Sequence, residues 1–367
     1  MAKKKNTNKT DSCSCLKELR SAIDEIDKKI LDLINKRLLH AVEIGKIKKQ
    51  SGNRVFDNAR ENEIMERLAS LNKGPVRNRV LLHIFKDIIS EARELQRPQK
   101  VTFLGPVATF THIAAMNYFG SSIEFIPQQS IRDVFTEVEK GSYNYGVVPV
   151  ENSIEGSVNY TLDLFFESEL KICAEIYQPI SHDLLASSGS IKDIEIIYSH
   201  PQAFAQCRKW LQKHIPNIPL KECSSTAFAA CKASEQPGVA AIASSASAGI
   251  YNLKVLSKNI QDYSHNVTRF LVIGKEDSPF TGNDKTSVMF ATQHAPGALY
   301  KALEPIATSG INMVKLESRP TKHENWNYFF FVDIQGHKDD DKVNKTLSDM
   351  KSLCQYLKCL GSYPKAG

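Results

Sequence analysis

From Leu16 to Gln50 the chain carries no proline, and Leu16, Leu19, Ile23, Ile26, Ile30 and Leu33, then Leu38, Ala41 and Ile44, recur at helical spacing. Such a run folds as one amphipathic helix of about 35 residues, near 50 Å long at a rise of about 1.5 Å per residue. Gly52 and Asn53 break it. A second helix is predicted from about Asn58 to Leu71, and Gly74-Pro75 precede a third that ends near Gln96. Three helices without a strand make a first domain, residues 15–97, behind a polar tail, residues 1–14, expected to be disordered. Beyond Pro98 the texture changes to short β-rich runs, VTFLG, YGVVPV, EIIYSH and FLVIG, alternating with Ala-rich helical stretches, an α/β domain over residues 100–276. After a polar break a strand, helix, strand, strand, helix, strand order follows over residues 285–367, which predicts a ferredoxin-like βαββαβ sandwich.

The chain has 367 residues, and its net charge of +6 falls to about +2 without Lys3, Lys4, Lys5 and Lys9 of the tail. Nucleic acid is therefore not an expected partner. Apolar runs fall short of the roughly 20 residues that span a bilayer, and the lysines of the tail precede no apolar core, so a membrane is not expected either and a cytoplasmic location is. Eight cysteines without a CxxC pair or matching histidine spacing predict reduced thiols and no metal site.

Arg37 and Lys48 lie 11 residues apart, within about 20° on one helix face, along the apolar stripe. Cations there need an anion: either an internal carboxylate such as Glu43 or Asp57, or a ligand. Arg20 lies about 26 Å from Arg37 along the axis and roughly 100° around it, so one straight helix cannot aim all three cations at one small molecule. An antiparallel helix of a second chain brings its own Arg20 to this Arg37. These three helices, LRSAIDEIDKKILDLINKRLLHAVEIGKIK, VFDNARENEIMERL and IFKDIISEARELQ, resemble the all-helical class of chorismate mutases. The resemblance implies an interlocked homodimer or higher even oligomer. In it Arg20 of the neighbour, Arg37 and Arg60 hold carboxylates, Lys48 and Gln96 reach the ether oxygen of chorismate, and Asp57 and Glu61 hold its hydroxyl. Ala92 departs from a common serine.

In the α/β domain GPVATFTHIAA follows a strand and opens a helix, where N–H groups and the hydroxyls of Thr109 and Thr111 can receive an anion. VVPVENSIEGSV puts Glu151, Asn152 and Ser153 at a strand end. SHPQAFAQC puts Ser199 and His200 at another, with Gln206 about two turns on, and NVTRF leads Thr268 and Arg269 into a strand. Singly, each reads as turn or cap chemistry before it reads as a site. Together they resemble the prephenate dehydratases, which implies two lobes like a periplasmic binding protein with prephenate between them. By the same resemblance Thr268 is the essential residue, Asn152, Ser199 and Gln206 lie in the cleft, and Glu151, Ser153, His200 and Arg269 belong to the motifs in less defined roles. Ala108 replaces a common glycine, and Ser224 stands where some relatives have glutamate.

Gly297-Ala298-Leu299-Tyr300 and Glu317-Ser318-Arg319-Pro320 read alone as a helix start and a strand end. In their βαββαβ frame they resemble the phenylalanine signatures of ACT domains, which implies feedback inhibition. Neither implied reaction requires a metal or organic cofactor. The residues leave other functions open: a non-catalytic, amino-acid-responsive binding protein, or a mutase whose dehydratase half is silent.

Overall fold

The computed structural model describes residues 8–50, 58–187, 189–320 and 328–366, in two compact units, Met1–Pro98 and Gln99–Gly367. The first is helical throughout, with helices Asn8–Gln50, Asn58–Leu71 and Asn78–Gln96. The long helix starts at Asn8, inside the stretch expected to be disordered, because NKTDSCSC holds no proline or glycine to stop propagation and each added residue gains a backbone hydrogen bond. Only its C-terminal part is well covered: Ala41 is buried, whereas Ile23 and Leu33 are 56% and 65% exposed.

The second unit begins with two α/β lobes. The first has strand order Glu124–Gln128, Lys100–Leu104, Tyr145–Asn152, Val267–Gly274, Lys171–Pro179, with Gly156–Ser157 beside Tyr145–Asn152. The second has order Lys254–Ser257, Asp183–Ala186, Val239–Ala243, Ile196–Ser199, Leu220–Glu222. The chain crosses between them twice, after Pro179 and before Val267, and the crossings are tied by Ile180 N–H donating to the Asn266 carbonyl at 2.8 Å. Val267–Gly274 thus returns antiparallel into the middle of the first sheet, with Thr268 opposite Asn152.

The C-terminal sheet, order Met313–Pro320, Tyr328–Gln335, Asp284–Ala291, Tyr356–Pro364, is antiparallel throughout, the expected βαββαβ arrangement. Its helices Ala298–Thr308 and Asp341–Leu353 cover one face through Val288, Phe290, Ile306, Val332 and Met350. The other face, Met289, Phe331, Leu360 and Tyr363, shares a core with Val148, Val150, Leu162 and Leu271 of the first lobe. At this seam Gly361 faces the Ile172 backbone so closely that no Cβ fits.

A buried charge cluster crosses the same seam. Glu175, its side chain fully buried, receives Arg269 at 2.9 Å and Lys285 at 2.8 Å, and Arg269 also reaches Asp333 at 2.7 Å and the Tyr363 hydroxyl at 3.0 Å. Burial works against the Arg269 charge, but the facing Tyr363, Asp333 and Glu175 outweigh it and hold the guanidinium pKa above its usual value. Taking one member from such a cluster strands the others away from water. Glu175→Gln is therefore expected to destabilise this unit by about 3–5 kcal/mol, read as a lower thermal midpoint; an unchanged midpoint would contradict that role.

Candidate functional site

Two cavities gather the singled-out residues, one in each unit. The first, of about 280 Å³, is lined by Arg37, His40, Ala41, Ile44, Lys48, Arg60, Glu61, Ile64, Ile89, Ala92, Arg93 and Gln96. All three helices contribute, so Arg37, Lys48, Arg60, Glu61 and Gln96 meet within one chain. Arg20 lies far back on the long helix and is not among the lining residues. Asp57 lies outside the described residues. Sequence reading missed Arg93, which is 3% exposed and pairs with Glu61 at 3.5 Å. Its cationic character was hidden among the exposed charges of an amphipathic helix.

Burial depresses the Arg37 pKa while Glu61 pulls it up. Lys86 is likewise held below its usual value, by burial first and then by Arg93. Gly45 explains how an amide reaches the cavity: a Cβ there would stand 2.7 Å from Gln96 Cγ. A mid-helix glycine costs about 1 kcal/mol in propensity, which this close passage accounts for.

The second cavity, also about 280 Å³, lies between the two lobes. Thr109, Thr111, Asn152, His200, Gln206 and Thr268 line it, together with Phe110, His182, Ser224, Ser225, Thr226, Asn266 and Phe270. Two ten-residue helices, Phe110–Phe119 and Thr226–Glu235, start at its wall, capped by Thr109 and Ser225. No lysine or arginine lines it among the described residues. An anion held here is received by N–H groups, helix dipoles and hydroxyls.

Strand alternation sorts the motif residues. Thr268 and Phe270 face the cleft, whereas Arg269 between them points into the buried cluster and has a structural role. Ser199, expected in the cleft, is fully buried and donates to the Ile242 carbonyl at 2.7 Å, because its position in the strand turns it into the second lobe. Glu151 pairs with Lys315 of the C-terminal sheet at 2.7 Å. Ser153 Oγ accepts from Val267 N–H and donates to the His265 carbonyl, fastening a turn. His200 does line the cleft, but its Nδ1 accepts from Gln202 N–H at 3.3 Å as a helix cap.

His182 and Asn266 had no assigned part. Both sit on the crossings between lobes, which strand periodicity does not reveal. His182 Nε2 lies 2.9 Å from Gln206 Oε1, and Asn152 Nδ2 lies 2.8 Å from both Asn266 Oδ1 and Thr268 Oγ1.

In the C-terminal sheet Gly297 takes φ +77° and opens helix Ala298–Thr308, in which Leu299 packs on the core and Tyr300 is exposed. Lys315, Glu317 and Arg319, on one face of the edge strand, contact Glu151, Ser157 and Asp163 of the first lobe. Ser318 and Pro320 alternate with them on that strand.

Comparison with known proteins gives three family matches: chorismate mutase type II over residues 19–97, prephenate dehydratase over 101–278 and the ACT domain over 286–351. The chain is 50% identical over 355 residues to the bifunctional chorismate mutase/prephenate dehydratase of Aquifex aeolicus, covering 96% of this chain and 98% of that one. It is 33% identical over 368 residues to the Escherichia coli protein of the same name, covering 94% and 95%. Among solved structures it is similar to the prephenate dehydratase of Arthrobacter aurescens in complex with L-Phe, at 36% identity and a TM-score of 0.67 over 73% of this chain and 90% of that one. The Staphylococcus aureus prephenate dehydratase gives 30% and 0.64 over 72% and 99%.

Burial lowers the pKa of His112 and of His182, the latter against the opposing effects of its hydrogen bond to Gln206 and the charge of Asp183. Both rings are thus harder to protonate in the fold than in the unfolded chain. Their contribution is complete above the unfolded value of about 6.5 and is lost as pH falls through the lower folded values. NMR titration is expected to give both midpoints below about 6.5, with thermal stability declining on acidification over that window; midpoints at or above it would contradict this.

Proposed function

The chain belongs to the family of bifunctional chorismate mutase/prephenate dehydratases, and we propose that its two reactions take place in the two cavities described above. It rearranges chorismate to prephenate and converts prephenate to phenylpyruvate. Residues 15–97, 100–276 and 285–367 are the proposed mutase, dehydratase and regulatory portions.

The rearrangement is a concerted pericyclic shift, so no nucleophile is needed. The site has to hold a dianion in its folded conformer and stabilise charge on the breaking ether oxygen. Arg37 and Arg60 are proposed to bind carboxylates, Lys48 and Gln96 to reach the ether oxygen, and Glu61 with Asp57 to hold the hydroxyl. The gathering of Arg37, Lys48, Arg60 and Gln96 around one cavity carries this reading. The exposed stripe through Ile23 and Leu33 supports a second chain lying there, the partner that would supply its own Arg20.

Conversion of prephenate releases CO2 and the ring hydroxyl, driven by aromatisation. The C–C bonding pair moves into the ring as the C–O bond breaks and its pair leaves with the oxygen. Thr268 hydrogen-bonds the leaving oxygen and passes it a proton, regained from water. Helix N-termini at Thr109 and Ser225 receive the carboxylates, and Asn152 and Gln206 hold the polar wall.

Phenylalanine is the proposed feedback inhibitor, bound at Gly297–Tyr300 and Glu317–Pro320 of the regulatory portion. The contacts of Lys315, Glu317 and Arg319 with Glu151, Ser157 and Asp163 support a route to the segment that carries Asn152. A cytoplasmic location is proposed with these metabolite substrates, and no described helix is long and apolar enough to cross a membrane.

With chorismate supplied and both products followed, Arg37→Met or Lys48→Met is expected to slow prephenate formation by about 100-fold or more while phenylpyruvate formation from added prephenate continues. Thr268→Val is expected to do the converse, and phenylalanine to slow only the second step. Near-normal turnover in any of these variants would remove that residue from its role.

A further inference from the structure

The hydrogen bonds behind Thr268 run in one direction, and the direction can be derived. Backbone N–H groups of Ile154 and Glu155 point at one side-chain atom of Asn152, at 3.0 and 3.2 Å. An N–H can only donate, so that atom is Oδ1, and Asn152 Nδ2 is the atom turned to Asn266 Oδ1 and Thr268 Oγ1. Asn266, its oxygen engaged, presents Nδ2 to Gln206 Oε1 at 3.0 Å. The Gln206 orientation follows independently from its other end, where Nε2 lies 3.5 Å from the Glu155 carboxylate, a group that when ionised only accepts. Gln206 Oε1 is thus an acceptor toward both neighbours. The imidazole nitrogen facing it, His182 Nε2 at 2.9 Å, carries the hydrogen. His182 Nδ1 is then a bare lone pair, buried without a hydrogen-bond partner in a residue 3% exposed.

We propose that His182, fixed as the Nε2–H tautomer, is a positioning residue of the dehydratase reaction. It completes a relay through Gln206, Asn266 and Asn152 that makes Thr268 Oγ an acceptor on the protein side and leaves the threonine hydrogen for the substrate. Asn152 and Thr268 belong to the first lobe, Gln206 to the second, and Asn266 and His182 to the two crossings. The relay is complete only while the lobes keep this relation, so it couples the placement of Thr268 to the geometry of the cleft. The inference deepens the reading of Thr268 as donor to the leaving hydroxyl and rests on it.

Two measurements on the full-length chain test it. Long-range 1H–15N correlation with labelled histidine, assigned through the signal lost in His182→Gln, is expected to show His182 with Nε2 protonated and Nδ1 bare at neutral pH. An Nδ1–H ring overturns the proposal even if Thr268→Val abolishes turnover. Conversely, an active Thr268→Val variant overturns the threonine reading without altering the tautomer. In kinetics with prephenate, His182→Leu leaves Gln206 Oε1 short of one donor and is expected to lower kcat about 10- to 100-fold with KM little changed, whereas His182→Gln, which can place an amide N–H at the Nε2 position, loses only about threefold. Equal losses in the two variants, or a loss carried by KM, overturn the proposal; if the leucine variant does not fold, the tautomer measurement on the native protein decides.

Discussion

The buried Arg269–Glu175 pair is the contact that ties the strand carrying Thr268 to the C-terminal sheet. Its partners Lys285, Asp333 and Tyr363 come from the C-terminal sheet, while Glu175 and Arg269 come from the first lobe. Arg269 follows Thr268 directly, and strand alternation sends one side chain into the charge cluster and the other into the cleft. Any displacement of the C-terminal sheet that disturbs Asp333 or Lys285 therefore acts on the backbone that holds Thr268. A buried charge cluster suits this role because it tolerates few alternative geometries: desolvated charges that separate from their partners cost several kcal/mol. The shared apolar core of Phe331, Leu360 and Tyr363 with Val150 and Leu271 makes the same seam continuous.

In the proposed assignment the two cavities meet related dianions with opposite electrostatics. The helical cavity is lined by Arg37, Lys48, Arg60 and Arg93, although burial already depresses the Arg37 pKa. Concentrated positive charge fits a reaction whose transition state builds negative charge on an ether oxygen. The interlobe cleft presents neutral donors and helix N-termini instead. A strong cation beside the departing carboxylate would favour the ionised substrate over the forming CO2, so under the proposed assignment a cleft of dipoles would bind the anion while opposing decarboxylation less.

Much of this was legible in the residues. The helical periodicity around Arg37 and Lys48 identified the first cavity, and the motifs at strand ends marked the wall of the second. What failed was an inference from motif membership where side-chain direction decides: Ser199, expected in the cleft, points away from it, and Arg269, whose role the motif left undefined, points into the buried charge cluster. A strand end shows that one of two neighbouring residues faces a ligand without saying which. His182 and Asn266 escaped for another reason. Their surroundings are made by segments distant in the chain, as when His182 meets Gln206 and Asn152 meets Asn266. Gly45 carries the same lesson, since a glycine inside a helix reads as a weak point until Gln96 is seen passing it.

Two of the three departures from the family patterns, Ala92 and Ser224, line these cavities, and the third, Ala108, directly precedes Thr109 of the cleft wall. Ala92, 5% exposed, adds an apolar patch to a cavity whose polar demand is carried by at least five other side chains. Ser224 lies beside Ser225 and Thr226 at a helix N-terminus, where the donors are backbone N–H groups independent of the side chain. Ala108 is the strained case. At φ +71° it occupies the left-handed region, which costs an L-residue about 1–2 kcal/mol and accounts for glycine being common there. Its N–H is met by His112 Nδ1 at 3.3 Å and its carbonyl by Ser247 Oγ of the other lobe at 3.3 Å. Those partners hold the strained turn from both lobes, so a conformation that a free loop would abandon persists directly before Thr109 of the cleft wall.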